Sequence, residues 1–263
     1  MRGAYQHTLT AALAHVQANY PDANPVAFSS VYPGAAHDPS IALVLAAGNP
    51  ALSETARWAD GRGALVVPPG RSLAVVPAST PPHPVFIPWL EALETIDLRP
   101  DDLDPRFTLY NLDGDRITAE LGATGAASRA NFNGAVELVN ARWLNESVRP
   151  GETAELLTVW RVLDPTRAGP ANPPTFASDA VLFTHVLDGA GGLLAQSDRL
   201  DAPSWGWRTG DLFIQVHALT VPPAAAPGDY AAVVGFYDRA TGVRLPVAGG
   251  GDTAAAPALR VSE

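Results

Sequence analysis

Residues 193–247 constrain the fold more tightly than any other stretch of the chain. Apolar and polar residues alternate there with period two, the runs break at turn-forming clusters, and aromatic landmarks fall at Trp205 and Trp207, at Tyr230, and at Phe236 and Tyr237. Short alternating runs bounded by turns spell a β-sandwich, because each strand buries one face and leaves the other to solvent. Residues 211–221 place Leu212, Ile214 and Val216 on one face of a strand and Phe213, Gln215 and His217 on the other. Pro222 and Pro223 end that strand, since proline donates no ladder hydrogen bond. After a turn at 227–229, residues 230–237 are apolar almost throughout, as in a strand covered on both faces, and a second turn at 238–242 returns the chain into 243–247. The segment 229–247 is expected to be a hairpin that closes the sandwich.

The same pattern extends back to residue 107. Residues 107–112 and 116–121 read as a hairpin through Asp113-Gly114-Asp115, followed by strands at 135–144, 153–163, 180–187 and 193–196, and a last strand at 259–261 after a glycine-rich link. About ten strands at this spacing fit an immunoglobulin-like antiparallel β-sandwich over residues 106–263. Residues 1–98 differ. Leu9, Ala12, Leu13, Val16 and Tyr20 share one face at helical spacing, so 5–18 is expected as an amphipathic helix stopped by Pro21. Segments 26–31, 64–67 and 73–76 read as strands, 40–47 as a second helix and 86–94 as a short one, which predicts a small α/β domain with a partly parallel sheet. The acidic, proline-bearing stretch 97–105 is the expected boundary. The expected class is therefore α+β in two domains, 1–98 and 106–263.

Composition removes several functions. The net charge of −10 gives no attraction to a phosphate backbone, so nucleic acid is not an expected partner. With no cysteine, disulfides, thiol catalysis and cysteine metal sites are excluded. Neither the first residues nor any later stretch has the continuous apolar run of a secretion signal or a membrane span.

Four strings resemble one known region: Ala195-Gln196-Ser197-Asp198, Trp207 to Gly210-Asp211, Pro227-Gly228-Asp229-Tyr230, and Gly235-Phe236-Tyr237-Asp238 running on through Thr241-Gly242 to Arg244-Leu245. Together they are similar to the soluble C-terminal tail of bacterial protein-mannosyltransferase-like membrane glycosyltransferases, multi-spanning proteins that use lipid-linked sugars. Residues 57–63, Arg57-Trp58-Ala59-Asp60-Gly61-Arg62-Gly63, resemble the membrane-proximal part of the same tail. The chain departs from the pattern at Gln215-Val216-His217, where an acidic residue and an aromatic one are expected, and in its doubled tryptophan. In that family the catalytic carboxylate belongs to a loop among the membrane helices. The resemblance thus implies membrane spans upstream, a position on the extracytoplasmic face of the bacterial membrane, no cofactor, and a non-catalytic role in binding a glycan or protein acceptor or in stabilising the enzyme.

The residues themselves give weaker chemical signals. No G-x-S-x-G elbow, P-loop, H-E-x-x-H or complete G-x-G-x-x-G is present. His7 and His15 are two helical turns apart, too far to share a metal. His37-Asp38 is explained by a helix cap, the aspartates at 97–104 by a solvated linker, and Asp113-Gly114-Asp115 and residues 188–192 by hairpin turns. Trp205, Trp207, Tyr237, Arg239 and Arg244 lie on or beside loops of the best-matched region, and aromatic faces with arginine are how β-sandwich modules hold sugars. The alternative is that the tryptophans plug one end of the sandwich and Arg244 pairs with Asp238 or Asp211. Two further functions stay open: a free-standing hydrolase using a carboxylate pair such as Asp198 and Asp211, and a secreted carbohydrate-binding module.

Overall fold

The computed structural model describes residues 4–28, 55–78, 80–97, 106–123, 129–168 and 180–263. The expected helix at 40–47 and the end of the expected strand at 26–31 lie outside them.

The N-terminal helix α1, Ala4–Asn19, buries Leu9, Ala12, Leu13 and Val16, the face set by helical spacing, and ends before Pro21. That face packs on a mixed five-stranded sheet built from β1 (Asn24–Phe28), β2 (Arg57–Ala59), β4 (Arg71–Pro77), β5 (Glu91–Asp97) and β6 (Arg106–Asp113). Its order is β2-β1-β4-β6-β5; β1 runs parallel to both neighbours, while β6 is antiparallel to β4 and β5. Leu73, Val75, Phe107 and Leu109 meet the helix, and Ala74, Val76 and Leu112 point away from it into a second, larger core.

The larger core belongs to a sandwich. A central sheet has the order β3-β12-β9-β8-β7, from Ala64–Val67, Leu212–Thr220, Thr153–Val162, Val136–Trp143 and Ala130–Phe132. An outer sheet has the order β11-β10-β13-β14, from Leu193–Asp198, Ala180–Leu187, Gly228–Asp238 and Ala254–Val261. All pairings within these two sheets are antiparallel. Aromatic rings join them: Trp160 meets Phe236 edge-on at 4.8 Å and stacks on Phe213 at 6.2 Å, with Phe132 packed edge-on against both Trp160 and Phe236.

Several expectations need correction. Residues 116–121 are not a strand: α2, Gly114–Ala123, begins where the Asp113 carboxylate accepts from the Arg116 amide at 2.9 Å. Ile117 and Leu121, four apart, suit an alternating strand and one face of a helix equally, and the cap decides. The short helix expected at 86–94 is a 3-10 turn, Pro84–Trp89, followed by β5, an edge strand paired only with β6. Residues 243–247 contribute isolated bridges, Tyr237 to Arg244 and Phe132 to Val247, because Pro246 and the positive φ of Gly249, Gly250 and Gly251 break the ladder. The partner of β13 on that side is β14, which begins at Ala254, inside the expected link.

Strand β12 is buried on both faces rather than one. Phe213, Gln215 and His217 face the sandwich interior beside Trp160 and Thr158 of β9, while Leu212, Ile214 and Val216 belong to the same apolar cluster as Ile117 and Leu121 of α2 and Phe86 of the turn. The expected boundary at 97–105 falls where β5 gives way to β6, and these two strands pair with each other. Strand β3, from the N-terminal third, pairs with β12 through Leu212 opposite Val67 and Ile214 opposite Leu65.

Candidate functional site

The outer face of the four-stranded sheet brings together His185, Asp198, Tyr237 and Arg244. On β10, Leu182 and Val186 point into the core, so Phe183 and His185 point out. Phe183 sits opposite Gly235 of β13 and Asp198 of β11. A Cβ on Gly235 would lie 2.5 Å from the Phe183 ring and 2.7 Å from the Asp252 carbonyl oxygen, so the ring lies across a strand position that only glycine leaves open. The Arg244 guanidinium covers the ring at 4.6 Å from its centroid and reaches the Asp252 carboxylate at 3.4 Å. Tyr237 follows with its ring 6.2 Å from that of Phe183, and its hydroxyl donates to Asp198 Oδ2 at 3.4 Å. His185 Nε2 stands 3.6 Å from the other carboxylate oxygen of Asp198.

Electrostatics keep this patch in one protonation state near neutrality. Burial holds the His185 imidazole below its ordinary range; Arg244 adds to the effect and Asp198 opposes it. Burial and then Asp198 raise the Tyr237 phenol, which stays protonated, while Arg239 at the end of β13 acts against them. The face therefore offers the half-buried phenol ring of Tyr237, a neutral imidazole, a carboxylate and a guanidinium, while Phe183 beneath them is 1% exposed and closed to a ligand. Such a set can hydrogen-bond hydroxyl groups and stack on an apolar ring face.

Of the five expected binding residues, the structure brings Tyr237, Arg239 and Arg244 to this end of β13 and places both tryptophans elsewhere. Trp207 is 3% exposed, stacked on Phe213 at 4.7 Å, and donates from Nε1 to the Ala202 carbonyl at 2.8 Å. Trp205, in the 3-10 turn Ser204–Gly206, is half-buried against the core beneath α1. The two rings serve different cores and form no shared platform. Arg244 pairs with neither Asp238 nor Asp211 but with Asp252. Phe183 and His185 are the residues sequence reasoning missed; the alternation along 180–187 shows that they share a face but not which face is outward.

The motif residues that are not exposed form a buried polar seam between the N-terminal third and the sandwich. Arg57 and Asp211 pair bidentately, Nε to Oδ2 and Nη2 to Oδ1 both at 3.0 Å, and the Arg208 amide also donates to Asp211. Burial pushes the Asp211 carboxyl up, with Arg57 pulling it back. Asp60 accepts from the Arg62 guanidinium, and Asp201 from Arg199 Nε at 2.6 Å and Gln215 Nε2 at 2.8 Å. The Asp60 amide donates to the Asp201 carbonyl, and a Cβ on Gly63 would lie 2.0 Å from Asp201 Oδ2. Gln215, where the chain departs from the family pattern, is thus the amide that satisfies Asp201.

This geometry removes the carboxylate pair expected of a hydrolase. Asp198 is on the outer face, and Asp211 is wholly buried against Arg57, with no surface to offer a substrate. Among the described residues no group of three or more metal-ligating side chains converges. His15 instead bonds Glu94 at 2.9 Å, and the Asp188 carboxylate closes its own turn by accepting from the amides of Ala190 and Gly192. The His7 side chain and the His37-Asp38 pair lie outside the described residues. No helix among them is long and apolar enough to cross a membrane.

No family model matches the chain, and no curated protein matches it. Among solved structures, the C-terminal domain of wzt overlaps 54% of this chain and 84% of its own at 12% identity, with a TM-score of 0.33. That likeness is too slight to bear on fold or on function.

Proposed function

We propose that this chain is a non-catalytic extracytoplasmic domain of a bacterial protein-mannosyltransferase-like membrane glycosyltransferase, and that its outer sheet holds a glycan. The observation that carries the binding part is the convergence of His185, Asp198, Tyr237 and Arg244 over the buried Phe183 on the outer face of one sheet. Sugars present hydroxyls at their edge and C–H groups on their ring face; this patch supplies donors and acceptors for the first and the half-buried Tyr237 ring for the second. The parentage rests on the quoted sequence strings. Support comes from where they fall: Gly235 and Tyr237 build the patch, while Arg57, Asp60, Gly63 and Asp211 build the buried seam.

A glycan array probed with the intact protein tests the binding part. Binding is expected for the wild type and is lost in Tyr237→Ala and in Arg244→Ala with the thermal melt unchanged. An empty array for the wild type overturns it. The parentage is tested separately by the genomic reading frame: membrane spans encoded upstream support it, and a stop codon immediately before residue 1 overturns it.

A further inference from the structure

The polar surface of the outer sheet continues past the groups that meet Asp198. Gln196 precedes Asp198 by two residues on β11, so both side chains point to the same side, and the register sets Gln196 directly opposite His185 as it sets Asp198 opposite Phe183. Gln196 is exposed, and no described residue takes its side-chain amide. The row that Gln196 shares with His185 continues into Val233 of β13 and Ala255 of β14. The next outward row holds Leu193, Leu187 and Ala231, and Leu193 is 52% exposed. At the Tyr237 end the face is occupied instead: Arg244 lies over the Phe183 ring and is held there by Asp252. A ligand seated at Asp198 and Tyr237 therefore continues with least obstruction along β10 and β11, toward Gln196 and Leu193. Strand β11, six residues from Leu193 to Asp198, is roughly 16 Å long at about 3.3 Å per step, which exceeds one sugar ring.

Given the outer sheet as the glycan site, on which this rests, we infer that it holds a linear glycan chain rather than a single sugar, laid along β10 and β11 from Tyr237 toward Leu193. The first unit bonds Asp198 and Tyr237. Gln196, which both donates and accepts, bonds hydroxyls of the second beside His185. The apolar surface of Leu193 and Leu187 meets C–H groups of a third. With the His185 imidazole neutral, neither of the two further rows carries a charge, so neutral sugars suit the units past the first.

A titrated array of linear mannose, glucose, galactose and N-acetylglucosamine oligomers, each series running from the monosaccharide upward, tests this on the intact chain. In a series that binds, affinity is expected to rise by about tenfold or more from the monosaccharide to the trisaccharide and then to level off. Gln196→Ala and Leu193→Asp are each expected to remove most of that gain, and Tyr237→Ala to abolish binding at every length. The substituted side chains lie on the outer face, and thermal melts verify folding. A monosaccharide that binds as tightly as its longer homologues, or a gain with length that survives both substitutions, overturns this inference and leaves the outer sheet as a site for a single sugar. An array without binding at any length overturns both.

Discussion

Arg57 and Asp211, 154 residues apart in the chain, form a bidentate ion pair that is almost wholly buried. It fastens β2 of the mixed sheet to the turn that leads into β12 of the sandwich. Removing one partner strands the other charge away from water. Arg57→Ala or Asp211→Ala is expected to cost about 3–5 kcal/mol, whereas replacing both by apolar residues of similar volume costs much less. Denaturant unfolding of the two single variants and the double variant checks this; additive losses would show that the pair is not a unit.

Trp207 is expected to behave as a core residue. Its ring stacks on Phe213 and lies edge-on to Phe236, and its indole nitrogen is bonded to Ala202. Trp207→Ala should lose about 3–5 kcal/mol in a thermal or urea melt. Tyr237→Ala, on the outer face, should leave the melt nearly where it was.

His217 gives the protein an acid-sensitive term. Complete burial, with Arg199 adding to it, pushes the imidazole from 6.5 down to about 3, and its Nδ1 has no hydrogen-bond partner. Between those two values the unfolded chain binds a proton that the native state refuses, so stability rises with pH through this window. It is fully present above 6.5 and falls by about 1.4 kcal/mol for each unit below it. Asp201 and Asp211, whose carboxyls burial raises, act in the opposite direction. The contribution is therefore read as a difference: His217→Gln should flatten the dependence of stability on pH between about 4.5 and 7 relative to wild type. Parallel curves would remove His217 from the explanation.

Gly63 admits no side chain. A methyl group there would meet Asp201 Oδ2 at 2.0 Å, and the carboxylate cannot retreat without giving up Arg199 and Gln215. Gly63→Ala should cost about 1–3 kcal/mol, and Gly122→Ala, at a position with open space around it, should cost nothing measurable.

A fragment beginning at residue 106 is expected not to fold cooperatively. It keeps β6 but loses both strands that flank it, and it loses β3, which covers the edge of β12. Circular dichroism of residues 106–263 through a thermal ramp checks this, and a sharp transition at the full-length temperature would show that the sandwich stands without the N-terminal third.

The sandwich strands were legible because turns bracket them and apolar residues alternate, as in β9, β10, β12 and β13. What sequence could not settle was which of two faces is outward and what a strand pairs with. Gln215 and His217 read as a polar face, yet both are buried: Asp201 takes the Gln215 amide, and Thr158 meets one of the two ring nitrogens of His217. Ile117 and Leu121 fit both periods. Trp205 and Trp207, adjacent in pattern, end in separate cores, since a single turn residue can send neighbouring side chains to opposite sides. The motif strings marked residues that matter without distinguishing buried charge from exposed chemistry: Asp211 and Asp198 look alike until their surroundings are known.

The stitch made by β3 bears on how the protein is synthesised. Its four residues leave the mixed sheet between β2 and β4 to pair with β12, whose Leu212 lies opposite Val67. A ribosome delivers β3 long before β12 exists, so the nascent N-terminal third must wait with that strand unpaired, its apolar Leu65, Val66 and Val67 uncovered. Contacts so distant in sequence form slowly. Until β12, at Leu212–Thr220, has been made, the early chain is a substrate for chaperones and for its own neighbours.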